Sequence, residues 1–126
     1  SMYNTPSVFT VYVSYLTLNW LKDLGGIEAA ERRNRAKANL IYSEIDRNSL
    51  FYGNAAVEDR SIMNATFFLK DESLADSFNQ LCVNEGIYGL KGHRTVGGYR
   101  ASIYNALPMV SVQHLVKTMQ TFENNL

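Results

Sequence analysis

Between Gly89 and Ala106 the chain runs Gly89-Leu90-Lys91-Gly92-His93-Arg94-Thr95-Val96-Gly97-Gly98-Tyr99-Arg100-Ala101-Ser102-Ile103-Tyr104-Asn105-Ala106. Gly92, Gly97 and Gly98 loosen the backbone here, because glycine reaches turn conformations that side chains forbid and lets main chain come close to a ligand. The segment therefore reads as a turn between two short extended stretches, Ile87 to Leu90 before it and Arg100 to Tyr104 after it. It also carries His93, Arg94 and Arg100 within eight residues. Guanidinium forks match carboxylate and phosphate geometry bidentately. A loop of this kind points to a pocket for a small molecule with more than one anionic group. From spacing alone, an Arg100 paired with a structural carboxylate and a His93 capping a turn are equally compatible.

The rest of the pattern sets the fold class. Asn4 or Thr5 can cap a first helix with Pro6 in its first turn. Val8, Tyr12, Tyr15, Leu16 and Leu24 recur at helical spacing, and Gly25-Gly26 stops the helix. Phe9, Tyr12 and Tyr15 make this helix aromatic, which fits either an ordinary core or a surface built to be covered. A second helix is expected from about Ile27 to Asp46, with Ala30, Ala38, Ile41 and Ile45 as a thin apolar stripe. Glu28, Glu31, Arg32, Arg33, Arg35 and Lys37 read as its charged, solvated face.

Asn48 to Gly53 reads as a turn and a short strand. Ser61 to Leu69 alternates, with Met63, Ala65, Phe67 and Leu69 on one face, so a half-buried strand is predicted. Asp71 can cap a third helix carrying Leu74, Phe78, Leu81 and Cys82 on one side and ended by Gly86. Pro108 opens a last helix with Val112, Leu115, Val116, Met119 and Phe122 inward. Short connections between neighbouring strands favour antiparallel pairing. The expected architecture is α+β, a small antiparallel sheet with helices packed on one face, in a single domain spanning 1–126.

Composition removes several functions. Twelve basic and twelve acidic residues give a formal net charge of zero, whereas a nucleic-acid-binding domain shows a basic excess. No apolar run approaches the ~18 residues of a membrane span. The single cysteine, Cys82, excludes an internal disulfide and fits a reducing compartment. No positively charged segment leads into an apolar one at the start, so a cytoplasmic location is expected. One cysteine with His93 and His114 is too few and badly spaced for a zinc site. His114 reads as surface or rim, Cys82 as buried and inert, and Asp59-Arg60 as a local ion pair.

The cationic segment, read as Gly-His-Arg-x-Val-Gly-Gly-x-Arg-Ala-Ser-x-Tyr-Asn-Ala and followed by Pro108, resembles the C-terminal signature of the phosphoserine aminotransferases. Tyr3-Asn4-Thr5-Pro6 and Arg60-Ser61-Ile62-Met63-Asn64 resemble two further segments of that family, in the same order, and the similarity runs from about Ser1 to Phe122. The resemblance implies the C-terminal small domain of a fold-type I pyridoxal-phosphate enzyme, with the large domain absent from this chain. It implies a parent that transfers an amino group between glutamate and 3-phosphohydroxypyruvate in serine biosynthesis; bacterial relatives also act on a related acid in vitamin B6 synthesis. His93 and Arg94 would take the substrate phosphate and Arg100 its α-carboxylate. Asn4 and Thr5 would reach the pyridoxal 5'-phosphate of a second subunit in a homodimer. The Schiff-base lysine and the carboxylate beside the cofactor's ring nitrogen would lie in the large domain, and Lys91 does not match the Schiff-base position. The chain alone is then expected to hold no cofactor and to catalyse nothing. A reading from another class is a free-standing, non-catalytic remnant that binds a phosphorylated acid or a partner protein.

Overall fold

The computed structural model describes residues 3–126; Ser1 and Met2, where the family similarity begins, lie outside the described residues. Two compact units are present, residues 1–32 and 33–126.

The first unit is built on α1 (Val8–Asp23). The helix begins later than Asn4, Thr5 and Pro6 suggest. Ser7 is its N-cap residue and makes no side-chain capping bond; its hydroxyl instead lies 2.8 Å from that of Thr10. Pro6 is thus upstream of the first turn. No residue of α1 is buried. Phe9, Tyr12 and Tyr15 are 78%, 58% and 60% exposed, which resolves the two readings of this helix in favour of a broad uncovered apolar surface. Leu24 closes the helix, and Gly25 follows at φ 97°, a conformation that glycine adopts without cost. The next helix, α2 (Gly26–Arg47), starts at once.

In the second unit three antiparallel strands pair in the order β1 (Phe51–Tyr52), β2 (Asn64–Leu69), β3 (Tyr99–Ser102). Phe51 faces Leu69, and Thr66 faces Arg100. Along β2 the alternation holds, with Ala65, Phe67 and Leu69 buried and Asn64, Thr66 and Phe68 partly exposed. Along β3, Tyr99 and Ala101 are buried while Arg100 and Ser102 are exposed. The stretch Ile87 to Leu90 forms no regular strand. Its link to β3 is the bond from the Arg100 N–H to the Leu90 carbonyl, beside an isolated bridge between Lys91 and Tyr99 just after it. Gly86 at φ 72° and Gly89 at φ 76° interrupt the extended backbone that pairing needs.

The buried face of the sheet packs against α3 (Ala75–Asn84), α4 (Met109–Asn124) and the later turns of α2. Phe78 sits at the centre, with ring centroids of Phe51, Tyr99 and Phe122 at 5.0, 5.2 and 5.1 Å. Edge-on and tilted arrangements of this kind suit the aromatic quadrupole. Cys82 is buried beside them, and desolvation pushes its thiol up to about 11, so it is inert at neutral pH. Asp71 caps as expected, accepting a bond from the Ser73 N–H at 2.9 Å, but it first starts a short 3-10 turn that runs into α3. The inward residues of α4 are those its spacing predicts, joined by Thr118.

Two readings of the charged residues change. Lys37 is not part of a solvated face: it is 2% exposed, and its ammonium donates to the carbonyls of Ile103, Tyr104 and Leu107 at 3.0, 2.7 and 3.1 Å. Arg60 pairs not with Asp59 but with Asp46, bidentately at 2.7 Å for both bonds, and lies over the Tyr42 ring. The guanidinium holds the Asp46 carboxyl below the usual range. Helix α2 also buries Glu44, which accepts from Arg47, Asn48 and Gln120.

Candidate functional site

The glycine-rich segment folds back between Lys91 and Tyr99. The Gly92 N–H donates to the Gly98 carbonyl at 2.9 Å, and the N–H groups of Val96 and Gly97 both donate to the His93 carbonyl, at 3.0 and 2.8 Å. Each glycine has its own reason. A Cβ at Gly92 would collide with the Gly97 carbonyl oxygen. Gly98 lies at φ 62°, and a Cβ there would come within 2.6 Å of the Phe68 ring and 2.9 Å of the Phe67 carbonyl. The loop is pressed against β2, and only a residue without a side chain fits.

That packing sets the direction of the cationic side chains. His93 and Arg94 line an open hollow of about 540 Å³ together with Lys91, Phe68, Glu72 and Asn79. The Thr95 N–H donates to His93 Nδ1 at 3.3 Å. A ring nitrogen that accepts leaves the other to carry the proton in the neutral imidazole, so Nε2–H is the donor edge available to a ligand. Lys91, His93 and Arg94, all exposed, therefore present donors around one hollow, opposed there by the Glu72 carboxylate. Charge-assisted bonds from such a set suit the oxygens of a phosphate monoester.

Arg100 is placed differently. It projects from the exposed face of β3, and in this chain it lines a second hollow of about 500 Å³, with Tyr88, Ser102, Leu107, Val110 and His114. One hairpin thus carries His93 and Arg94 on one hollow and Arg100 on another. His114 sits on the rim, as its position in the last helix suggests; its Nε2 is 2.8 Å from the Glu85 carbonyl oxygen. Asn4 and Thr5 are exposed, on the non-helical approach to α1. Among the described residues, no group of three or more metal-ligating side chains is present, and no helix is long and apolar enough to cross a membrane.

Two buried polar residues escape the sequence pattern, and both bond to the segment after β3. Asn34 and Lys37 belong to the buried side of α2. The signal was available: Asn34, Lys37, Ala38, Ile41, Glu44 and Ile45 are all buried, and they follow the three-and-four spacing of a helix stripe. Their polarity disguised it.

The family model described as aminotransferase class-V matches residues 1–115. A phosphoserine aminotransferase of Flavobacterium psychrophilum is 61% identical over 126 residues, covering 100% of this chain and 35% of that protein. One from Porphyromonas gingivalis strain W83 is 53% identical over 125 residues, 98% of this chain and 35% of its own length. Among solved structures, the phosphoserine aminotransferase from Bacillus circulans subsp. alkalophilus superposes with a TM-score of 0.92 at 45% identity, over 99% of this chain and 35% of that one. A pyridoxal-phosphate-bound phosphoserine aminotransferase from Trichomonas vaginalis superposes with a TM-score of 0.85 at 39% identity, over 94% of this chain and 34% of that one. The chain spans about a third of the length of the relatives it matches.

Proposed function

Since this chain belongs to the class-V aminotransferase family, we propose that it is the C-terminal, substrate-anchoring domain of a phosphoserine aminotransferase, an enzyme exchanging an amino group between glutamate and 3-phosphohydroxypyruvate. The observation that carries the reading is the identity of 61% to such an enzyme along all 126 residues. The division of cations on the hairpin supports it, because the substrate has a phosphate at one end and a carboxylate at the other. His93 and Arg94 take the phosphate, and Arg100 takes the carboxylate. Fixing both ends leaves the reacting carbon one position to occupy, and positioning of this kind lowers a barrier by several kcal/mol.

The cofactor of this chemistry is pyridoxal 5'-phosphate, which supplies an electron sink when bound. The residues of this chain fit a supporting part. Asn4 and Thr5 are short, exposed hydrogen-bonding side chains just ahead of a helix start, and such donors suit a phosphate group. In this reading they hold the cofactor phosphate of a second subunit in a cytoplasmic homodimer. The lysine that carries the cofactor belongs to polypeptide outside this chain. The uncovered apolar surface of α1 is consistent with burial against further protein.

The test is steady-state kinetics of the full-length polypeptide with glutamate and 3-phosphohydroxypyruvate. Arg100→Ala lowers kcat/KM on the order of a hundredfold or more, since it leaves a carboxylate without its charged partner. Lys91→Ala, removing one exposed cation at the rim, changes it by about threefold or less. Equal losses in the two variants would sink the assignment.

A further inference from the structure

Lys37 spends all three of its N–H donors on one short piece of chain. Its partners are the carbonyls of Ile103, Tyr104 and Leu107. One helical turn earlier, Asn34 Nδ2 donates to Asn105 Oδ1 at 2.6 Å. Four of the five residues that leave β3 are thus tied to two side chains of α2. The tied segment is also anchored from the other side, by Ile103 in the core and by the Tyr104 hydroxyl, which donates to Asn64 Oδ1 at 3.3 Å. The Ile103 N–H reaches the Met63 carbonyl, and the Leu107 N–H closes a turn onto the Tyr104 carbonyl; Pro108 then starts α4.

The same segment forms a wall of the Arg100 hollow, to which Ile103 and Leu107 both contribute. A lysine buried to this degree is rare unless its position matters, because an ammonium held away from water is costly. Burial lowers the affinity of this amine for its proton, and the three carbonyl dipoles offset that by solvating the charged form. An apolar side chain would fill the space without ordering the carbonyls.

We infer that Lys37 and Asn34 are positioning residues for the Arg100 carboxylate subsite, holding the 103–107 segment so that the end of β3 and the wall beside Arg100 keep one geometry. The inference rests on the assignment of Arg100 to a substrate carboxylate. It also predicts an effect independent of that assignment, since loosening the clamp frees the segment that carries the amides of Ile103 and Leu107.

Lys37→Met and Asn34→Ala in the full-length polypeptide test it, with Glu44→Gln as the reference, because Glu44 is a buried polar residue of the same helix whose partners lie in α2, α4 and the turn after α2. Both clamp variants raise KM for glutamate on the order of tenfold with kcat within about twofold, the pattern of a carboxylate grip weakened equally in ground and transition states. Hydrogen exchange accelerates at the amides of residues 103 and 107. Glu44→Gln lowers the melting temperature but leaves KM unchanged. A KM rise of the same size in Glu44→Gln would reduce the effect to general loosening and overturn the inference. So would an unchanged exchange rate at 103 and 107, or faster exchange there with KM unmoved. If Lys37→Met does not fold, Asn34→Ala decides alone, since it removes one bond and no charge. A wild-type enzyme that turns over no glutamate would instead refute the proposed function, and the exchange measurement would still decide the clamp.

Discussion

Replacing Gly98 by alanine separates two costs that the cationic loop combines. Gly98 sits at φ 62°, where a residue with a Cβ loses about 1–2 kcal/mol relative to the right-handed region. An alanine there also meets the Phe68 ring at 2.6 Å and the Phe67 carbonyl at 2.9 Å. The first contact is with a side chain stacked on Tyr52, and the second is with backbone of the central strand, so neither yields freely. Overpacking of this kind costs roughly 1–3 kcal/mol. Gly97 supplies the control one residue away. Its φ is 76°, and a Cβ there meets nothing within 4 Å, so Gly97→Ala carries the backbone cost alone. Gly98→Ala should therefore destabilise by roughly 2–5 kcal/mol and Gly97→Ala by about 1–2 kcal/mol, summing the two contributions. The assay is urea unfolding of both variants beside the wild type, followed by circular dichroism. A difference below about 0.5 kcal/mol, the usual limit of additivity, would show that the loop is not pressed on β2 and would refute the steric argument. Relief by a loop shift rather than by lost stability would appear as a weakened phosphate affinity in Gly98→Ala that Gly97→Ala does not share.

Other expectations are simpler. The carboxyl of Glu123 is held down to about 2 by the bonds it accepts from Ser49 and by the Arg47 guanidinium. Because its folded value lies below the ordinary 4.5, its contribution is complete above that value and is lost as pH falls toward 2. Stability measured by urea midpoint should drop across this window in the wild type and drop less in Glu123→Gln. Phe78→Ala, opening a hole among Phe51, Tyr99 and Phe122, should cost about 3–5 kcal/mol by chemical denaturation; a loss under 1 kcal/mol would mean that this is not the centre of the core.

The elements that came directly out of the pattern are those whose signal is local. The alternation from Ala65 to Leu69 gives a strand with one buried face wherever it is placed, because successive side chains point to opposite sides. The spacing of Val112, Leu115, Val116, Met119 and Phe122 gives one face of a helix in the same way. Asp71 and Gly86 mark the ends of their helical segment through capping geometry and positive φ. His93, Arg94 and Arg100 stood out because an imidazole and two guanidiniums among three glycines are unusual in nine residues. The failures share the opposite character. Ile87 to Leu90 has strand composition, yet Gly86 and Gly89 leave room for one bridge and no ladder. Asn4, Thr5 and Pro6 are good helix-starting residues that stay ahead of the helix.

Sequence alone determined the helix and strand periodicities, the antiparallel α+β class and the cationic loop, because each depends on residues within a few positions of one another. Tertiary structure decided which charges are buried and what they hold. Lys37 faces three carbonyls about seventy residues away, and Arg60 passes over neighbouring Asp59 to reach Asp46. Local sequence cannot distinguish a lysine on a wet face from one on a dry stripe. The difference is made by the chain that folds over it, whose carbonyls replace the water that an ammonium requires.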